Sequence, residues 1–273
     1  MCIRDRFSDP RVVYDVSTDR WFTTTFEPAD SGAFVDGEFF LAVSVSGDPT
    51  DGWRSVQFDA SPAALAIERT STLSVDGDAV YVGVDITSIA GPNSAIFAFG
   101  KQDLLGAFPT GATVTVFDGL ANPVYGEQIQ IARGSSDIDG RASGIAAFVG
   151  GGNVLSKVDL VGDIAGGGNV SITRTDVSVP SYLPAPDARQ PGGALSLVAN
   201  PPLFTSAAYS AQGFLWAVHT VQGSAGNNSA IRWYQISEST SQLVNSGTID
   251  NPDFDFIAPS IACLLYTSDA ADE

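Results

Sequence analysis

The chain has 273 residues, 44% of them hydrophobic, with 31 acidic against 13 basic side chains and a net charge of −18. So apolar a composition excludes a disordered chain, and the length suffices for one large domain with a sizeable core. The negative charge argues against nucleic acid and anionic membranes as partners, because the long-range field repels both, and no run reaches the roughly eighteen apolar residues of a membrane-spanning helix.

The two terminal strings, Met1–Arg6 and Cys263–Glu273, resemble translated sequencing-adapter read-through. They are set aside as non-native tails, and one domain is expected over residues 7–262 as part of a longer gene. Both cysteines and the single methionine fall in these strings. The span between them therefore offers no disulfide, thiolate nucleophile or cysteine metal site. The tails together carry a net −2, so the remaining span keeps −16 and its acidity is its own.

In chain order, Asp9–Asp15, Arg20–Phe26, Phe39–Ser46 and Trp53–Asp59 are rich in β-branched and aromatic residues, and turn residues bound each of them. Four antiparallel strands in about fifty residues is the size of one β-propeller blade. A second unit reads Ser71–Val75, an Asp76-Gly77 turn, Ala79–Asp85, Ala95–Phe99 and Thr113–Phe117. Lys101–Leu105 reads as a helical turn or a loop. A third unit is expected to open near Arg141, with strands at Ser143–Val149, Asn153–Leu160 and Val170–Arg174. A proline-rich connection over Val179–Gly193 follows, expected to run over the surface. A fourth unit holds Phe204–Tyr209, Phe214–Val221, Ala230–Ile236 and Leu243–Ile249, and Phe256–Ala262 reads as the start of a fifth. No helix of ten residues is expected.

Each unit opens with a strand ending in a large residue, Tyr14, Val75, Phe148 or Tyr209, at spacings of 61, 73 and 61 residues. Recurrence of this kind marks a repeat architecture. The expectation is an all-β chain: an incomplete β-propeller of four-stranded antiparallel blades, about four of them plus the start of a fifth. A lectin-type β-sandwich is the alternative.

Ser46, Asp48, Gly52 and Trp53 lie between the third and fourth strands of the first unit and resemble the Asp box of sialidase-like propellers. The spacing departs from the motif, since Trp53 follows Gly52 directly. The resemblance implies a scaffolding role, with Asp48 shaping the turn and Trp53 packing into the blade. The phrases Asp9–Asp15 with Arg20–Phe22, and Leu215–His219 with Ile231–Tyr234, resemble a large group of secreted bacterial propellers. An extracellular or cell-surface location is what this implies. A working sialidase would need three arginines on a carboxylate, a Tyr/Glu nucleophile pair and an acid. Arg11, Arg141 and Arg232 sit at strand entries, but the full set cannot be assigned, so no catalytic residue is named.

The candidate ligand-binding residues are Asp9, Arg11, Asp139, Arg141 and His219. Asp9 with Arg11, and Asp139 with Arg141, each precede a strand expected to line the central channel, where a ring of alternating charges would form. The competing reading makes each pair a structural loop contact. His219, the only histidine, is a proton carrier at the channel or a packed core residue. Asp137 with Asp139, and Asp76 with Asp78, could hold Ca²⁺ but lack the further oxygens of a calcium loop, so plain turns compete. No metal site is assigned, because one histidine without cysteine makes zinc implausible. Trp233 and Tyr182 could stack on sugars or pack in the core. The functional expectation is a non-catalytic propeller that binds glycan, protein or surface ligands. The alternative is a sialidase-like glycoside-processing enzyme. Membrane insertion is not expected, and the oligomeric state is open.

Overall fold

A computed structural model describes residues 8–27, 38–59, 66–88, 91–106, 113–134, 141–164, 168–190, 192, 195–199 and 201–262. They form four antiparallel four-stranded sheets arranged as the blades of a β-propeller. Blade 1 holds β1 (Ser8–Asp15), β2 (Arg20–Glu27), β3 (Glu38–Ser44) and β4 (Trp53–Asp59). Blade 2 holds β5 (Ala66–Val75), β6 (Ala79–Ser88), β7 (Gly91–Gly100) and β8 (Val114–Ala121), with the short α1 (Lys101–Leu105) after β7. The turn α2 (Asn122–Tyr125) leads into blade 3, which holds β9 (Glu127–Ile131), β10 (Arg141–Ala147), β11 (Gly152–Gly162) and β12 (Val170–Tyr182). Blade 4 holds β13 (Tyr209–Ala211), β14 (Phe214–Gln222), β15 (Ser229–Ser237) and β16 (Leu243–Ile249).

Each blade is a meander in which consecutive strands pair. The expected pairing of Val12–Asp15 with the strand at Arg20–Phe26 is found, with Val13 opposite Phe22 and Asp15 opposite Arg20. The first strands of successive blades meet along the axis. β1 packs on β5 and β5 on β9, and the end of β9 bridges to β13 through Arg133 and Tyr209.

The seams between blades follow from strand alternation. In blade 1, Phe22, Phe26, Phe39 and Leu41 all fall on one face and pack on Val80, Val82, Phe97 and Phe99 of blade 2. Tyr81, Ile96 and Ala98, on the other face of blade 2, meet Ile129, Ile131 and Leu160 of blade 3. Leu155 and Val177, on the far side of blade 3, meet Leu215, Ala217 and Ile236 of blade 4. Each valine, leucine, isoleucine or phenylalanine among them contributes about 1.5–3 kcal/mol by leaving water. Among the described residues these three seams hold the apolar core. The outward faces of blades 1 and 4 share no core cluster.

Four expectations are corrected. The first strand of blade 4, expected at Phe204–Tyr209, spans Tyr209–Ala211 instead. The third blade opens at β9 and not at Arg141, so the strand at Ser143 is its second, and Phe148 does not end an inner strand. Arg133 stands in the place given to Phe148. β12 continues from Val170 through Pro180 to Tyr182; it is an outermost strand, where proline's missing N–H costs no ladder bond. Finally, Phe256–Ala262 forms no strand. Pro259 cannot donate to a ladder, and the segment's entry is fixed elsewhere: the Phe256 N–H donates to the Ser229 carbonyl, and the Asp255 carboxylate accepts the Ser229 N–H.

Candidate functional site

Asp9 begins β1 with a left-handed backbone, φ 47°, beside a β-bulge that separates Ser8 from Arg11. It is exposed, and Arg11 is half-buried. The Arg11 guanidinium donates across the axis to the Thr205 carbonyl of blade 4, at 3.3 Å. Burial lowers its pKa; Asp9 and Asp85 oppose that, and Arg133 adds to it. Arg11 thus links the first strand of blade 1 to the segment that leads into β13.

Arg133, which sequence reasoning missed, gathers more of the fold than any candidate. Its backbone exchanges hydrogen bonds with Ala208 and Ser210 of blade 4. Its Nε donates to the Leu73 carbonyl of blade 2 at 3.1 Å, and its Nη2 to the Val12 carbonyl of blade 1 at 3.2 Å. One residue of blade 3 therefore ties the other three blades together. Its only sequence signal is an arginine just past the Gln/Ile alternation at 127–131.

Arg141 opens β10, the second strand, and not an inner strand as expected. Its Nη2 lies 2.8 Å from Asp159 Oδ2 on the neighbouring strand. The same carboxylate accepts the Ser143 hydroxyl at 2.7 Å and the buried Lys157 ammonium at 2.7 Å. Burial alone would raise the Asp159 pKa; the bonds from Arg141, Lys157 and Ser143 outweigh it and hold the carboxyl below its ordinary range. Asp137 and Asp139, and with them the proposed Ca²⁺ loop, lie outside the described residues.

His219 is fully buried in the seam between blades 3 and 4, stacked on Phe204 with ring centroids 4.8 Å apart. Nδ1 lies 2.8 Å from the Pro202 carbonyl and Nε2 2.9 Å from the Tyr234 hydroxyl. A carbonyl can only accept, so Nδ1 carries the proton and Nε2 accepts from Tyr234. Burial, with a smaller push from the Arg232 charge, drives the pKa down to about 4, against the upward pull of the Pro202 bond. The imidazole is therefore neutral, with both nitrogens occupied. Arg141 and His219 share a seam but have different partners.

Other cations work the same way. The Lys101 ammonium, almost fully buried, reaches Asp15 and Ser17 of blade 1 and the Asp76 carbonyl. Arg54 donates to the Gly106 carbonyl, and Arg232 to the Pro180 and Ser181 carbonyls of blade 3. Asp76 spends its carboxylate within its own turn, on the N–H groups of Asp78 and Ala79 and on the Tyr81 hydroxyl. Among the described residues no group of three or more metal-ligating side chains gathers.

The Asp-box-like loop shapes a different surface. Asp48 Oδ1 accepts the Thr50 N–H and hydroxyl, as expected of a turn-forming aspartate. Trp53, expected inside the blade, is instead 40% exposed on the outward face of blade 1. Tyr182, expected as a sugar-stacking candidate, is buried, and its hydroxyl faces Val154 and Phe148. Trp233 is half-buried on the outward face of blade 4 and stacks on Trp216.

No family model matches the chain, and no curated protein matches it.

Proposed function

We propose that this is a ligand-binding β-propeller without catalytic activity, from an extracellular or surface-attached bacterial protein of the sialidase-like group, with further blades in a longer chain. The observation that carries this reading is how the charged side chains are used. Arg11 and Arg232 donate to backbone carbonyls of other blades, and Arg141 is held by Asp159. A sialidase needs its arginines free to converge on one substrate carboxylate. His219, with both ring nitrogens engaged, offers no proton to a substrate. The Asp-box-like loop between β3 and β4 supports the kinship, and the apolar outward faces of blades 1 and 4 support additional blades. Tyr14 and Trp53 stay exposed, and accessible aromatic rings favour binding.

The test is an array of glycans and proteins probed with the full chain, alongside release assays on sialyl and neutral aryl glycosides. Binding to at least one immobilised ligand without turnover is expected. Turnover, or silence across both arrays, overturns the reading.

A further inference from the structure

The connector ahead of β13, residues 201–208, is keyed to three blades. Leu203, Phe204 and Ala208 belong to the core between blades 3 and 4. The Thr205 carbonyl accepts from Arg11 of blade 1 at 3.3 Å, and the Phe204 carbonyl accepts from the Gln130 amide of blade 3 at 2.8 Å. On blade 4 it is held by His219, whose Nδ1 lies 2.8 Å from the Pro202 carbonyl and whose ring stacks on Phe204. We propose that His219 is an acid-released latch. A second proton on its ring frees residues 201–208 from blade 4, and takes their carbonyls away from Arg11 and Gln130, while the four blades stay folded.

The closed arrangement suits a ring with one proton. Nδ1 carries it, because the Pro202 carbonyl only accepts. Nε2 accepts from the Tyr234 hydroxyl at 2.9 Å. A proton on Nε2 would set N–H against O–H, and the hydroxyl would have to turn its own proton away. The new charge would also stand without water. His219 is fully buried, with Phe204 across its face and the rings of Tyr182 and Tyr234 at centroid distances of 5.0 and 5.4 Å.

The neighbouring groups do not offset that charge. Arg232 lies directly opposite on β15 and adds a like charge. Tyr182 and Tyr234 stay neutral, since burial raises both pKa values. On blade 3, the Asp159 carboxylate is taken up by Arg141, Lys157 and Ser143. Glu238 follows β15 beside Gly213, about 20 Å along the sheet from His219. Relief comes from the element held least. β14 and β15 pair along their whole length, whereas residues 201–208 form no strand and are fixed by isolated bonds. Once they lift, the imidazole meets water and takes its second proton at its ordinary pKa.

The test is hydrogen exchange of the full chain, followed by mass spectrometry between pH 7 and 4.5 and corrected for intrinsic rates. An NMR titration of the imidazole runs beside it, and its signal is unambiguous because the chain has one histidine. With the ring titrating at about 4 when closed and 6.5 when open, opening should rise about fifty-fold across that range. Protection of the amides in 201–208 should fall by that factor, while those of β6 and β7 keep theirs. His219→Gln, which keeps a polar side chain but does not titrate, should show no such fall. Loss of protection in all blades together overturns the proposal, and so does unchanged protection over 201–208 while the imidazole titrates. An undiminished fall in His219→Gln overturns it as well. Should that variant fail to fold, the comparison of 201–208 with β6 and β7 in the unaltered chain still decides.

Discussion

Lys157 and Asp159 lie two residues apart on β11, both buried, and the ammonium contacts both oxygens of the carboxylate. Two charges on one face of a strand, inside a seam, are stable only as a set. Removing the anion strands a buried cation, so Asp159→Ala should cost about 3–5 kcal/mol. Combining it with Lys157→Met should recover part of that loss, giving a coupling of about 1 kcal/mol or more. Urea denaturation of the two single variants and the double variant measures both quantities.

His219 predicts an acid-sensitive seam. An unfolded chain protonates this imidazole near its ordinary value of 6.5, whereas the folded protein holds it neutral down to about pH 4. The unfolded state therefore binds more protons between these values. The stability that the neutral ring contributes is complete above pH 6.5 and is lost as pH falls toward 4, by about 3 kcal/mol. His219→Gln should start less stable at neutral pH and show a flatter profile across that window. Unfolding free energies between pH 4 and 7 test this. Asp15 and Asp159, both held below the ordinary carboxylate range, lose their contributions at still lower pH.

Arg133 should be irreplaceable by lysine. Its Nε and Nη2 reach carbonyls on two different blades, and a single ammonium at the end of a flexible stem does not reproduce that fork. Hydrogen bonds from a charged donor are worth about 1.5–3 kcal/mol each. Arg133→Lys and Arg133→Met should lower the thermal midpoint by similar amounts. A full rescue by lysine would show that charge and not geometry is what matters.

Blades 1 and 2 and the three outer strands of blade 4 were legible because their turns are written in the sequence, whereas the inner strand of blade 4, expected at Phe204–Tyr209, spans Tyr209–Ala211. Asp76-Gly77 separates runs of β-branched and aromatic residues, and strand pairing followed from it. β9 was not legible, because Gln128 and Gln130 interrupt the apolar run at 127–131. Both are buried, and the Gln130 amide donates to the Phe204 carbonyl of blade 4. A polar side chain satisfied by a distant blade cannot be told from one satisfied by water until the fold is known. The alternation of Ile129 and Ile131 with the glutamines was the usable signal. Missing that strand shifted the third blade by one position and turned Arg141 into a channel candidate. β1 was read correctly, and with it the position of Asp9 and Arg11 in the first strand of blade 1. The exposure of Trp53 was hidden by the resemblance of its loop to a motif in which that tryptophan packs inside.

Gly144 tests how tightly the seam between blades 2 and 3 is fitted. A Cβ there would lie 2.8 Å from Ile131 Cδ1 and 3.0 Å from both the Gln130 carbonyl oxygen and Val158 Cγ2. The carbonyl belongs to a paired strand and cannot move aside, so Gly144→Ala should cost about 1–3 kcal/mol. At Gly77 a Cβ meets nothing within 4 Å, and Gly77→Ala should be close to neutral. Denaturation midpoints of the two variants give the comparison.

The placement of the four tryptophans has an optical consequence. Trp21 and Trp53 lie on one outward face, Trp216 and Trp233 on the other, and none enters a seam. Indole emission therefore reports on the two ends of the blade array alone. Tyr81 lies in the seam between blades 2 and 3, and Tyr182 and Tyr234 lie in the seam between blades 3 and 4. Near-ultraviolet signals from these three seam tyrosines and from the tryptophans thus come from separate parts of the molecule, whereas Tyr14 packs on Trp21 and follows the indoles. Acid that loosens the His219 seam should alter the tyrosine signal first while the indoles stay dark to the change.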